Sequence, residues 1–160
     1  MADRNADYTR LWAEIAEEYR GLRPRLAALR APEANYMQID AGGKAAHYEW
    51  KILHAPKSHV EVALHFEGER KEENQAALRL VQGRVMAERI ATTRHEVIGD
   101  WGGKWTRLGV RVGLEGEPDH ETAKKSARAM QSLVERTYPA VSAMLERSAA
   151  IGWLNSPGHG

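Results

Sequence analysis

The stretch His47-Tyr-Glu-Trp-Lys-Ile-Leu-His54, followed after Ala55-Pro-Lys-Ser58 by His59-Val-Glu-Val-Ala-Leu-His-Phe-Glu67, decides the fold class. Side chains alternate across an extended chain with period two. Tyr48, Trp50 and Ile52 therefore share one face of the first run, and His47, Glu49 and Lys51 share the other. In the second run Val60, Val62, Leu64 and Phe66 oppose His59, Glu61, His65 and Glu67. Two such runs around a short Pro-containing link read as a hairpin of half-buried strands. The expected outcome is an apolar face buried under helices, with Glu49, Lys51, Glu61 and His65 on the more exposed side.

Outward from this hairpin the pattern changes period. Tyr8, Leu11, Trp12, Ile15, Tyr19, Leu22, Leu26 and Leu29 recur mostly at three and four residues, the spacing of one helical face. Gly21 and Pro24 interrupt it, and Pro24 is expected to open a second short helix. Tyr36–Asp40 reads as a short strand, with Ala41-Gly42-Gly43-Lys44 as the turn into His47. A central helix is expected from Lys71 to about Thr92, weakened by Gly83. His95–Ile98 and Trp105–Val112 are further strands, joined by a turn at Asp100-Trp101-Gly102-Gly103-Lys104. Asp119 suits the N-cap of a last helix that carries Pro139. The order α-βββ-α-ββ-α predicts an α+β fold, an antiparallel sheet of about five strands with helices packed on one face. Residues 1–150 read as a single domain and 151–160 as a flexible tail.

Composition narrows the function classes. A chain of 160 residues can bury a full core, and 23 basic against 22 acidic residues leave a net charge of +1. That balance argues against a surface built for extended phosphate contact. There is no cysteine, so disulfide, thiolate and Cys–zinc chemistry are excluded. No signal peptide and no apolar run of roughly eighteen residues is present, which points to the cytoplasm and away from membranes. No phosphate-binding Gly-rich loop, nucleophile elbow or HExxH is found, and no cofactor is expected.

Val60-Glu-Val-Ala-Leu-His-Phe-Glu67, then Arg70-Lys-Glu-Glu-Asn74, a long helix, and Thr106-Arg-Leu-Gly-Val-Arg111 together resemble the prokaryotic domain of unknown function 4268 family. The helix with Trp12 and the final amphipathic helix extend the resemblance over most of the chain. The sequence departs from the family pattern after the central helix, where His95-Glu96 stand in place of a tryptophan. The resemblance implies a prokaryotic domain found alone or beside restriction-type nuclease domains, in a defence setting. It carries no catalytic residue set.

Three site readings arise from the polar face. Asp40 with Glu49-Trp50-Lys51 has the form of a Mg²⁺-dependent nuclease pattern, two carboxylates for the metal and a lysine near the attacking water. Glu-x-Lys also recurs by chance on solvated strands. His47, Glu49, Glu61 and His65 are the candidate metal ligands, provided the strands pair in register. Cross-strand His–Glu pairs are equally ordinary features of a sheet. Lys51, Arg107 and Arg111, with Tyr36 and Trp105, could offer a basic and aromatic face to a single strand of nucleic acid, opposed by Glu49, Glu61 and Glu67. Arg20, Arg23, Arg25 and Arg30 form a second basic cluster, offset by Glu14, Glu17 and Glu18. The leading expectation is a non-catalytic binding or accessory domain. Its candidate surface is His47, Glu49, Lys51, Glu61, His65, Trp105, Arg107 and Arg111, and its partner a protein or a nucleic acid. The alternatives are the nuclease and a self-associating module, a homodimer burying stripes such as Leu11 with Trp12 and Met144 with Leu145.

Overall fold

The computed structural model describes residues 7–43, 45–87 and 96–151. Helix α1 (Thr9–Gly21) is followed by β1 (Tyr36–Asp40), β2 (Ala46–Leu53), β3 (His59–Phe66), α2 (Lys71–Ala87), β4 (Glu96–Trp101), β5 (Trp105–Gly113) and α3 (His120–Ile151). The five strands form one sheet in the order β1-β2-β3-β5-β4, every neighbouring pair antiparallel. The α+β architecture and the element order are those the residue periodicity predicts.

Each helix meets the sheet through its apolar face. Trp50 Nε1 donates to the Ser126 carbonyl of α3 at 2.9 Å, and the Tyr48 hydroxyl lies 2.7 Å from Thr137 Oγ1. Tyr19 of α1 sets its ring edge-on to Trp50, centroids 5.2 Å apart. Thr106 of β5 donates to the carbonyl of Asn74 in α2. Tyr48, Trp50, Ile52, Val60, Val62, Leu64 and Phe66 are all buried, as the alternation requires.

Asn74 ties α2 to the sheet ends. Its side chain accepts from the Gly68 amide at 2.8 Å and donates to the carbonyls of Gly68 and Lys104, each at 2.9 Å. One buried amide thereby satisfies backbone groups at the exit of β3 and the entry of β5. At the start of α3, Asp119 accepts from the amide and hydroxyl of Thr122, as an N-cap should. The helix then continues through Pro139 to Ile151. Residues 152–160, most of the expected tail, lie outside the described residues, as does the extension of α2 from 88 to Thr92.

Four expectations are corrected. No helix opens at Pro24. Arg23 adopts φ 51, which ends the helical path, and a residue before proline is disfavoured in the α region anyway. The chain instead follows an irregular path from 23 to 35 and docks on β1 through a bridge between Leu29 and Ile39. Asp100 and Trp101 belong to β4 rather than to the turn, pairing with Thr106 and Trp105. The polar face is far less exposed than alternation alone suggests: Glu61 and His65 are 1% exposed, Glu49 5% and His47 7%. These residues sit on inner strands, where the long side chains of neighbours on both sides close over them. The stripes offered for a homodimer are covered within the single chain. Leu11, Trp12 and Met144 are buried and Leu145 packs on the core, leaving Leu80 as the exposed large hydrophobic side chain among the described residues.

Candidate functional site

The β2–β3 register turns the polar face from a row of residues into a built cluster. His47 lies directly opposite His65, and Lys51 opposite Glu61. The two imidazoles stack, centroids 5.1 Å apart and planes within 7°. Glu49, two residues along β2 and so on the same face, brings Oε2 to 3.0 Å from His47 Nε2. Gln38 reaches over from β1, where it pairs with Glu49, and its Nε2 donates to the same carboxylate at 2.9 Å. Glu67, just past the end of β3, sets Oε1 3.2 Å from His65 Nδ1 and 3.9 Å from His47 Nε2.

Glu49 is ionised in this setting. Burial, the largest single influence, disfavours its charge. The hydrogen bond from His47, the charge of His65, the Gln38 hydrogen bond and the charge of His47 act the other way and together prevail, holding the carboxyl at about 2.

Of the four metal-ligand candidates, three converge. Ligand atoms of His47, Glu49 and His65 all lie within 4.8 Å of one another. Glu61 is held elsewhere, because Arg107 of β5 places Nη1 2.8 Å from both of its carboxylate oxygens. Register explains the division: β5 pairs with β3 so that His65 faces Arg107 and Glu61 faces Arg111, and Arg107 reaches diagonally to the acid.

The nuclease candidates do not gather in the same way. Asp40 faces His47 across β1 and β2, and its carboxylate bonds to Arg30 from the connector between α1 and β1. It is not a member of the converging group that contains Glu49. Lys51 is half-buried two residues from Glu49. Trp105 is half-buried too, its ring lying over Gly102.

Beside the cluster, a recess of about 520 Å³ opens at the hairpin end of the sheet. Asn35, His54, His59, Glu61, Arg107 and Arg111 contribute to its wall. His59 directs Nδ1 to the Lys57 carbonyl at 2.8 Å, while its buried Nε2 has no hydrogen-bond partner among the described residues. Arg111 is exposed at this wall and forms no ion pair among the described residues. Sequence reasoning placed Arg107 and Arg111 on this surface but missed His59 and Gln38 as participants. Both obey the same alternation as their strand neighbours, and that was the signal available.

Compared with models of known protein families, with curated proteins and with solved structures, the chain matches none. Among the described residues no helix is long and apolar enough to cross a membrane.

Proposed function

We propose that this is a non-catalytic binding domain that receives an anionic group of its partner in the recess at the hairpin end of the polar sheet face. The observation that carries this reading is His59: a nearly fully buried imidazole whose Nε2 has no hydrogen-bond partner among the described residues, in a wall shared with Arg107 and with Arg111, which forms no ion pair among them. A buried polar atom left unsatisfied costs stability, so a ligand group that completes it would be favoured. Nδ1 is occupied by the Lys57 carbonyl, so Nε2 is the ring atom left to meet a ligand in the wall that also carries the Arg111 guanidinium. The size suits a small ligand or one projecting group, since pockets for small molecules span roughly 300–1,000 Å³. A carboxylate or a phosphate matches the Arg111 guanidinium. The family resemblance adds a setting, a cytoplasmic prokaryotic module working beside restriction or anti-phage nucleases.

Thermal melting in phosphate, in citrate and with a short single-stranded oligonucleotide, against chloride at equal ionic strength, tests the reading. At least one anion should raise the melting temperature, and Arg111→Glu and His59→Ala should abolish the rise. A response to the oligonucleotide alone would make the partner a nucleic acid. A flat response to all three would remove the proposal.

A further inference from the structure

We propose that His47, Glu49 and His65 form a binding site for one divalent transition-metal ion, zinc being the best fit, with a fourth position for water or a partner's ligand. This site is separate from the recess and does not depend on the reading given for it.

The three residues supply two imidazole nitrogens and one carboxylate oxygen from two adjacent strands, with no flexible loop intervening. In a tetrahedral site with bonds of about 2.0–2.1 Å, ligand atoms stand roughly 3.3 Å apart. Glu49 Oε2 and His47 Nε2 are already 3.0 Å apart, and no separation in the trio exceeds 4.8 Å. Small side-chain rotations cover that difference, while the backbone positions are fixed by the β2–β3 ladder.

The surroundings resemble those that metal centres use. Glu67 brings a carboxylate oxygen to 3.2 Å from the His65 ring, an acidic neighbour of the kind found around metal-ligating imidazoles. Gln38 holds the Glu49 carboxylate through Oε2. All three candidate ligands are buried, so an ion would sit out of bulk water with a carboxylate as counter-charge. The donor set also selects the metal. Mg²⁺ and Ca²⁺ take oxygen ligands, and two imidazoles favour zinc and its transition-metal neighbours.

The experiment is calorimetric titration of the full chain, without an affinity tag and after chelator treatment, with Zn²⁺ and separately with Mg²⁺. Zinc should bind at one ion per chain and raise the melting temperature, and Mg²⁺ should give no heat. Co²⁺ in place of zinc should produce the visible absorption of a low-coordinate site. Glu49→Gln and His65→Gln should each weaken zinc binding by more than about 10-fold. His54→Gln and His120→Gln should leave it unchanged. If either ligand variant fails to fold, the wild-type stoichiometry and the Co²⁺ spectrum decide alone. Absence of one-to-one zinc binding by the wild type would overturn the proposal. So would binding that survives both ligand variants and is lost in His54→Gln or His120→Gln. Neither result bears on Arg111 or His59, whose variants test the recess.

Discussion

Replacing Gly109 with alanine should come close to unfolding this domain. Gly109 lies in β5 opposite Ala63 of β3 on one side and Val97 of β4 on the other. A Cβ built there would stand 2.0 Å from the Val62 carbonyl oxygen, 2.6 Å from Ala63 Cα and 2.7 Å from Ala63 Cβ. Ordinary contact begins at 3.4 Å, so β3 and β5 would have to part by roughly 1.4 Å in a close-packed interior. Two of the contacting atoms are backbone, so no side-chain rotation relieves the clash. Separating the strands forfeits ladder hydrogen bonds of about 1 kcal/mol each, and overpacking adds about 1–3 kcal/mol. A loss of about 3–5 kcal/mol is expected, set against a typical total of about 5–15 kcal/mol. Equilibrium urea unfolding gives the number, with Gly83→Ala as the control. Gly83 is inside α2 with nothing within 4 Å of its Cβ position, and alanine there should stabilise by about 0.5–1 kcal/mol. A Gly109→Ala protein with the wild-type urea midpoint would refute the close approach of β3 and β5.

Arg107→Met should destabilise by about 3–5 kcal/mol, because it strands the buried Glu61 carboxylate without its cation; adding Glu61→Gln should recover part of the loss in a double-mutant cycle. Asn74→Ala should cost about 2–4 kcal/mol by orphaning the Gly68 amide and the Gly68 and Lys104 carbonyls, and Asn74→Asp should be no better, since a carboxylate cannot donate to the two carbonyls. The hydroxyls of Tyr19 and Tyr48 are pushed well above the usual tyrosine range, by burial above all. A raised folded value means their contribution is complete below about pH 10 and is lost as pH rises beyond it. Phenolate absorbance should therefore show these two tyrosines ionising together with alkaline unfolding rather than ahead of it.

Which side of each strand faces the helices could be read from two-residue alternation, and Tyr48, Trp50, Val62 and Leu64 follow it without exception. Alternation says nothing about how well the opposite side is covered. That depends on sheet order, and the neighbour that closes over Glu61 comes from β5, delivered by the α2 crossover forty-six residues later in sequence. The His47–His65 pair became legible only once the hairpin register was fixed. The register also decided which acids join the histidines: Glu49 does, while Glu61 is claimed by Arg107. Pro24 misled because helical spacing persists through Leu26 and Leu29. Those leucines pack against the core from an irregular connector, where apolar spacing and backbone conformation are no longer coupled.

That connector has a consequence for how the sheet ends. An outer strand presents unpaired amides and carbonyls on which a strand from another chain can assemble. On β1 those groups are already engaged: the Arg30 amide donates to the Gln38 carbonyl at 2.9 Å, and the Asp40 amide to the Ala28 carbonyl at 3.4 Å. The Arg30–Asp40 ion pair fastens the same edge from outside. A strand added from a second molecule would first have to peel this segment away. The two margins of the sheet are thus unequal, with β1 sealed by the chain's own backbone and β4, among the described residues, paired on its β5 side alone.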